Sequence, residues 1–247
     1  MKKPIAFLCC LLALAATAWA QETIPAGTVL PAELSTALDS GTSKPGQAIS
    51  ARIMQDVPLP AGKIPAGARI TGHITRVAPA NSMRGIEVTL QFDAVRFSHR
   101  TVSVATNLRA LASTREVEDA RIPSTGTDRG TPFAWMTTNQ IGGEAVYGEG
   151  GPVTNGSRFV GQAAPGGVLV YLSAKPGSGC QDDEGGGDRL QALWLFASDA
   201  CGLYGFRDVQ ITHAGRTSPV GQIRIASIEG RLRIPGGSGL LLRVVAP

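Results

Sequence analysis

Hydrophobic and polar positions alternate most strictly at residues 86–93, where Ile86, Val88, Leu90 and Phe92 interleave with Glu87, Thr89, Gln91 and Asp93. A period of two with one apolar face predicts a half-buried strand. Residues 68–77 follow the same rule more loosely, with Ile70 and Ile74 on one side and Thr71, His73 and Thr75 on the other. After a polar turn at Ser98-His99-Arg100, residues 101–105 return with Val102 and Val104. Short polar connections of this kind favour antiparallel pairing.

Between residues 108 and 121 the spacing becomes helical, with Leu108, Leu111 and Val117 among good helix formers, which predicts one short helix. Residues 122–167 are rich in Gly, Pro, Ser and Thr and read as a long connection. Strand-like patterning resumes at 168–172. The run 193–196 is apolar throughout, as expected of a strand buried on both faces. Val209 and Ile211 alternate with Gln210 and Thr212. Residues 222–226, 231–234 and 240–245, with a turn at Glu229-Gly230, then predict a closing meander.

The pattern predicts an all-β fold: an antiparallel barrel or sandwich with long Gly/Pro-rich loops and at most one short helix. The 31 glycines and 16 prolines, with only 5% aromatic residues, agree with many short strands joined by turns. The expected organisation is a signal peptide at 1–20, an N-terminal β domain at 21–121, a connection at 122–167 and a C-terminal β region at 168–247.

The first twenty residues explain much of the charge. Lys2 and Lys3 precede an apolar run at 5–16, and Ala18-Trp19-Ala20 offers small residues for cleavage before Gln21. The run is too short for a membrane span, and no transmembrane helix is expected after cleavage. Removing two lysines takes the formal charge from +4 to +2, which disfavours bulk nucleic-acid binding. The expected location is therefore outside the cytoplasm, periplasmic or associated with the outer envelope. There the two remaining cysteines, Cys180 and Cys201, are expected to form one disulfide.

One local motif recurs. Ile-Pro-Ala-Gly at 24–27 and 64–67, and Ile-Pro-Gly-Gly at 234–237, each precede an extended run. Proline fixes φ and lacks an N–H, and a glycine two residues later permits positive φ, so the step suits a chain turning into a strand.

The first two copies belong to a longer pattern. Ile24-Pro25-Ala26-Gly27-Thr28, Ser40 with Pro45-Gly46-Gln47, Ala51, Gln55-Asp56-Val57 and Ile64 to Gly72 together resemble the opening of the TrbI-like family. These are the periplasmic, β-barrel-forming core components of type IV secretion and conjugation channels. The resemblance covers 24–111. It implies a flattened barrel that packs into a ring, with self-association or other envelope proteins as partners.

The chain carries no P-loop, G-x-S-x-G elbow or H-E-x-x-H motif. No catalytic residue, metal ligand or cofactor is assigned. His73, His99 and His213 lie on unrelated segments. His73 is expected on the polar face of its strand, and His213 in a turn beside Thr212, Arg216 and Thr217. Asp182, Asp183, Glu184 and Asp188 form an acidic turn whose spacing fits no known calcium loop.

Arg224, Arg231 and Arg233 alternate with Ile223, Ile225, Leu232 and Ile234, and Arg243 sits among apolar neighbours. An outward face carrying these arginines suits capture of phosphate or carboxylate on anionic cell-wall or lipid polymers. The expected function is a non-enzymatic, exported envelope protein with a structural, assembly or binding role. The alternatives are a hydrolase of envelope polymers using an Asp/Glu pair, which a cleft holding two close carboxylates near Asp182 or Asp199 would favour, and a soluble periplasmic ligand binder, which a deep apolar pocket would favour.

Overall fold

The computed structural model describes residues 23–80, 84–123, 137–148, 150–173, 179–180 and 188–245. The expected signal peptide and Asp182, Asp183 and Glu184 lie outside them. The first half forms β1 (Val29–Leu34), β2 (Leu38–Asp39), β3 (Ala48–Ile53), β4 (Val57–Leu59), β5 (Gly62–Ile64), β6 (Arg69–Pro79), β7 (Arg84–Phe97), β8 (Arg100–Ser103) and β9 (Ala105–Ala112), followed by α1 (Thr114–Asp119). Next come β10 (Thr137–Asn139), β11 (Ala145–Tyr147), β12 (Pro152–Asn155), β13 (Arg158–Ala164), β14 (Gly167–Tyr171) and β15 (Leu190–Ala192). The last part holds β16 (Gly202–Tyr204), β17 (Val209–Thr212), β18 (Ile223–Ser227), β19 (Glu229–Gly230), β20 (Arg233–Ile234) and β21 (Gly239–Val245). The fold is all-β with one short helix, as the alternation predicts.

The main sheet runs β16-β9-β21-β1-β3-β6-β7-β18-β17, with β8 and β19 attached to β7. Its pairings are antiparallel except β16 with β9 and β19 with β7. The two ends of this path, β16 and β17, follow each other in sequence and touch, so the sheet curls into a nearly closed barrel. Its inward face is one apolar cluster, including Leu30, Ile53, Ile70, Ile74, Leu90, Phe92, Leu108, Ile225 and Leu242. The second sheet is a six-stranded meander, β10 to β15. It covers part of the barrel's outer face, where Val29, Ala110, Ala112 and Leu241 pack with Val146, Val153, Val168, Leu193 and Phe196.

Four neighbouring strands are launched by the same turn. At 25–28, 44–47, 65–68 and 235–238 an N–H donates to the carbonyl three residues earlier. In each turn the third residue is a glycine at φ between 80 and 87°: Gly27, Gly46, Gly67 and Gly237. That is the geometry of a type II turn, which needs glycine there. Each of these glycines also donates its own N–H to a neighbouring strand. Gly27 bonds Val244 O and Gly237 bonds Leu34 O, so β1 and β21 cap each other; Gly67 bonds Ile53 O and Gly46 bonds Ile74 O, so β3 and β6 do the same. The isoleucines of the step, Ile24, Ile64 and Ile234, are buried in the barrel core.

Several local expectations change. Leu108 and Leu111 lie on β9, and the helix starts only after Ser113, whose Oγ accepts the Glu116 N–H at 3.3 Å. A cap followed by a glutamate three residues on fixes the start more firmly than the apolar spacing does. The run 193–196 is buried but turns: Trp194 has φ of 55°, and Phe196 makes only an isolated bridge to Ile141. The C-terminal strands do not form a meander. β18 joins β7 and β17, β20 pairs with β2, and β21 inserts between β1 and β9. Sheet membership also cuts across the expected boundaries at 121 and 167, because the barrel draws strands from both ends of the chain and the meander occupies the middle.

Candidate functional site

Among the described residues the barrel interior is closely packed. A void among Leu34, Leu90, Phe92, Leu108 and Ile225 measures about 10 Å³, no more than one water requires. An open groove of about 810 Å³ lies on the second sheet among Thr138, Gln140, Val146, Ala163, Val168 and Trp194. Gln140 is buried there, and its Oε1 has no hydrogen-bond partner among the described residues.

The second sheet meets the barrel through buried polar groups. Glu144, fully buried, accepts from the Ser198 N–H at 2.8 Å and from the Ser198 hydroxyl. Asn155 Nδ2 lies 3.3 Å from both Glu144 Oε1 and Asp199 Oδ2, which brings two carboxylates together. On the other side Arg109, 1% exposed on β9, donates to Ala200 O at 2.9 Å and Ser198 O at 3.4 Å. Burial pulls the Arg109 pKa down to about 10, helped by the nearby charge of Arg243. The segment 197–201 is thus held by a buried carboxylate on one side and a buried guanidinium on the other. Its last residue, Cys201, forms the expected disulfide with Cys180, with Cα atoms 5.5 Å apart. The two carboxylates serve this junction; neither borders the groove.

The four arginines proposed from sequence are dispersed. Arg231 makes a bidentate contact with Asp39, and Arg233 approaches the same carboxylate at 3.8 Å. Arg224, on β18, donates to Gln222 Oε1 at 3.1 Å. Arg243, on β21, borders a shallow surface groove with Ala26, Thr217 and Val220. Arg231 and Arg233 therefore share one spot, and the other two lie elsewhere on the barrel. His73 pairs with Asp93 at 2.8 Å on the outside of the sheet, and His213 sits in a turn at φ of 65°.

A different arginine set is brought together by strand register. Glu33 on β1 stands opposite Arg52 on β3, Arg52 opposite Arg69 on β6, Arg69 opposite Arg96 on β7, and Arg96 opposite Thr101 on β8. Directly opposed residues share a face of the sheet. The adjoining inward positions, Ile53, Ile70, Val95 and Val102, are buried, so the arginine row lies outside. Each arginine sits at a polar position of its own strand. The sequence shows that parity but not the register aligning one strand with the next.

No protein-family model matches the chain, and no curated protein matches it.

Proposed function

We propose that this is an exported, non-enzymatic protein of the cell envelope, whose barrel acts as a scaffold for assembly or binding at its outer surface. The observation that carries this reading is the filled barrel core beneath a charged exterior, which leaves recognition to the outside of the sheet. The disulfide at the sheet junction supports an oxidising compartment. Among the described residues no helix is long and apolar enough to cross a membrane. The TrbI-like pattern at 24–111 makes envelope channel components, or further copies of this chain, the first partners to seek.

Fractionation with thiol labelling tests the proposal. The expected result is a chain starting at Gln21, outside the cytoplasm, with both thiols reactive only after reduction. A cytoplasmic chain that retains Met1 and has two free thiols would overturn it. In vivo cross-linking followed by purification from the envelope fraction then identifies partners. Recovery of channel components supports the assembly role.

A further inference from the structure

The row Glu33-Arg52-Arg69-Arg96-Thr101 crosses five adjacent strands without a register break. Like charges directly opposite one another destabilise a sheet, yet three arginines are stacked here in succession. Among the described residues compensation is confined to one end. Glu33 contacts Arg52 at 3.4 Å and Arg121 at 3.2 Å. At the other end Arg96, among the described residues, reaches only the Thr101 hydroxyl, at 3.4 Å. Arg69, in the middle, makes no ion pair or side-chain hydrogen bond among the described residues. The nearest acid on β7, Asp93, is already paired with His73. Among the described residues one half-buried carboxylate therefore stands at the end of a row of three exposed guanidiniums and also contacts a fourth, Arg121.

We propose that this row is a binding strip for a linear acidic polysaccharide lying across the strands. The inference rests on the surface-binding reading above and gives it a ligand class. Arginine forks match carboxylate and phosphate oxygens with two parallel hydrogen bonds. In the next register row, Ser50-Thr71-Ala94-Ser103, the Ser50 hydroxyl is paired with Thr36 at 3.2 Å, and Thr71 and Ser103 place hydroxyls beside the arginines for sugar hydroxyl groups. Strands are spaced about 4.8 Å apart. Arg52 and Arg96 thus lie about 10 Å apart, a span of the order of one disaccharide.

The surroundings decide against two other polyanions. A lipid surface recruits apolar side chains as well as charge, and a single-stranded nucleic acid recruits exposed aromatic rings for its bases. Among the described residues the exposed large hydrophobic ones are Ile122, Tyr147, Phe159, Tyr171 and Val220; none lies on β1, β3, β6, β7 or β8, and Ile122, beside Arg121, is the one next to the end of the row.

The test uses the purified, oxidised full-length mature protein and two fluorescent glycans, polygalacturonate and a phosphodiester-linked glycan. Anisotropy is read against neutral dextran, phosphatidylglycerol vesicles and single-stranded oligothymidylate. Expected is saturable, salt-sensitive binding to at least one acidic glycan, with none to dextran. Binding weakens at least tenfold in R69E/R96E and is unchanged in R158E, which alters an exposed arginine of the second sheet. Circular dichroism of R69E/R96E checks that the loss does not come from unfolding. R69E alone, which inserts a carboxylate between Arg52 and Arg96, is expected to melt no lower than wild type. The proposal falls if neither acidic glycan binds, if R69E/R96E binds as wild type does, or if vesicles or oligothymidylate bind more tightly. Because the assay is in vitro, glycan binding by a protein found in the cytoplasm would sink the envelope reading and leave the strip standing.

Discussion

At the residue scale, charge is used in two ways. Glu144 and Arg109 are buried and hold backbone, so their positions follow from the need to satisfy the polar groups of 197–201. Asp39 is near the surface, where its hydrogen bonds to Arg231 hold its carboxyl below its ordinary value of 3.8. A depressed carboxylate pKa adds stability at higher pH and loses it as pH falls through the folded-state value. Asp39→Asn is therefore expected to unfold at lower urea than wild type at neutral pH. The gap should close as pH falls below the ordinary carboxylate range, and urea midpoints at several pH values measure it. Neither role was legible from sequence. Asp39 and Arg231 are 192 positions apart, and Arg109 looked like part of a helix.

At the element scale, the strands written most plainly in the sequence are the long alternating ones, β6 and β7. Their inward positions Ile70, Ile74, Val88, Leu90 and Phe92 are buried. The Ile-Pro-x-Gly step was also legible, because proline and glycine chemistry is local. The buried turn at 193–196 was not, since burial on all sides gives the same apolar run for a strand as for a turn.

The turns permit a clean measurement. A Cβ at Gly67 or Gly46 would touch nothing within 4 Å, so Gly67→Ala probes backbone conformation alone. The expected cost is about 1–2 kcal/mol. Gly67→Asn should cost less, because asparagine tolerates positive φ. Chemical denaturation of the two variants decides. Gly72 differs: a Cβ there would lie 1.9 Å from Gln91 O, at the bulge between β6 and β7.

At the scale of the whole molecule, the sequence announced the fold class but not which strands are neighbours. β20 ends in a third Ile-Pro-x-Gly step, yet nothing local to it says that β21 lies between β1 and β9. Register between distant segments depends on which faces bury together, and that is settled only by the assembled core. The disulfide operates at this scale too, joining the connection between β14 and β15 to the start of β16. Replacing both cysteines by alanine is expected to cost about 3 kcal/mol. A fall in melting temperature of the double variant, equal to that of the reduced wild type, would check it.

The mutual capping of β1 and β21 has a consequence for timing. Val29 pairs with Arg243, so the first strand of the barrel closes on the last. Among the described strand pairings this one spans the longest stretch of chain, so it carries the largest loop-closure penalty and is expected to form late. Until β21 arrives, β1 keeps an open edge and the core stays exposed on that side. The barrel therefore completes its core only when the last of its strands is available, and its stability is gained in one late step rather than strand by strand.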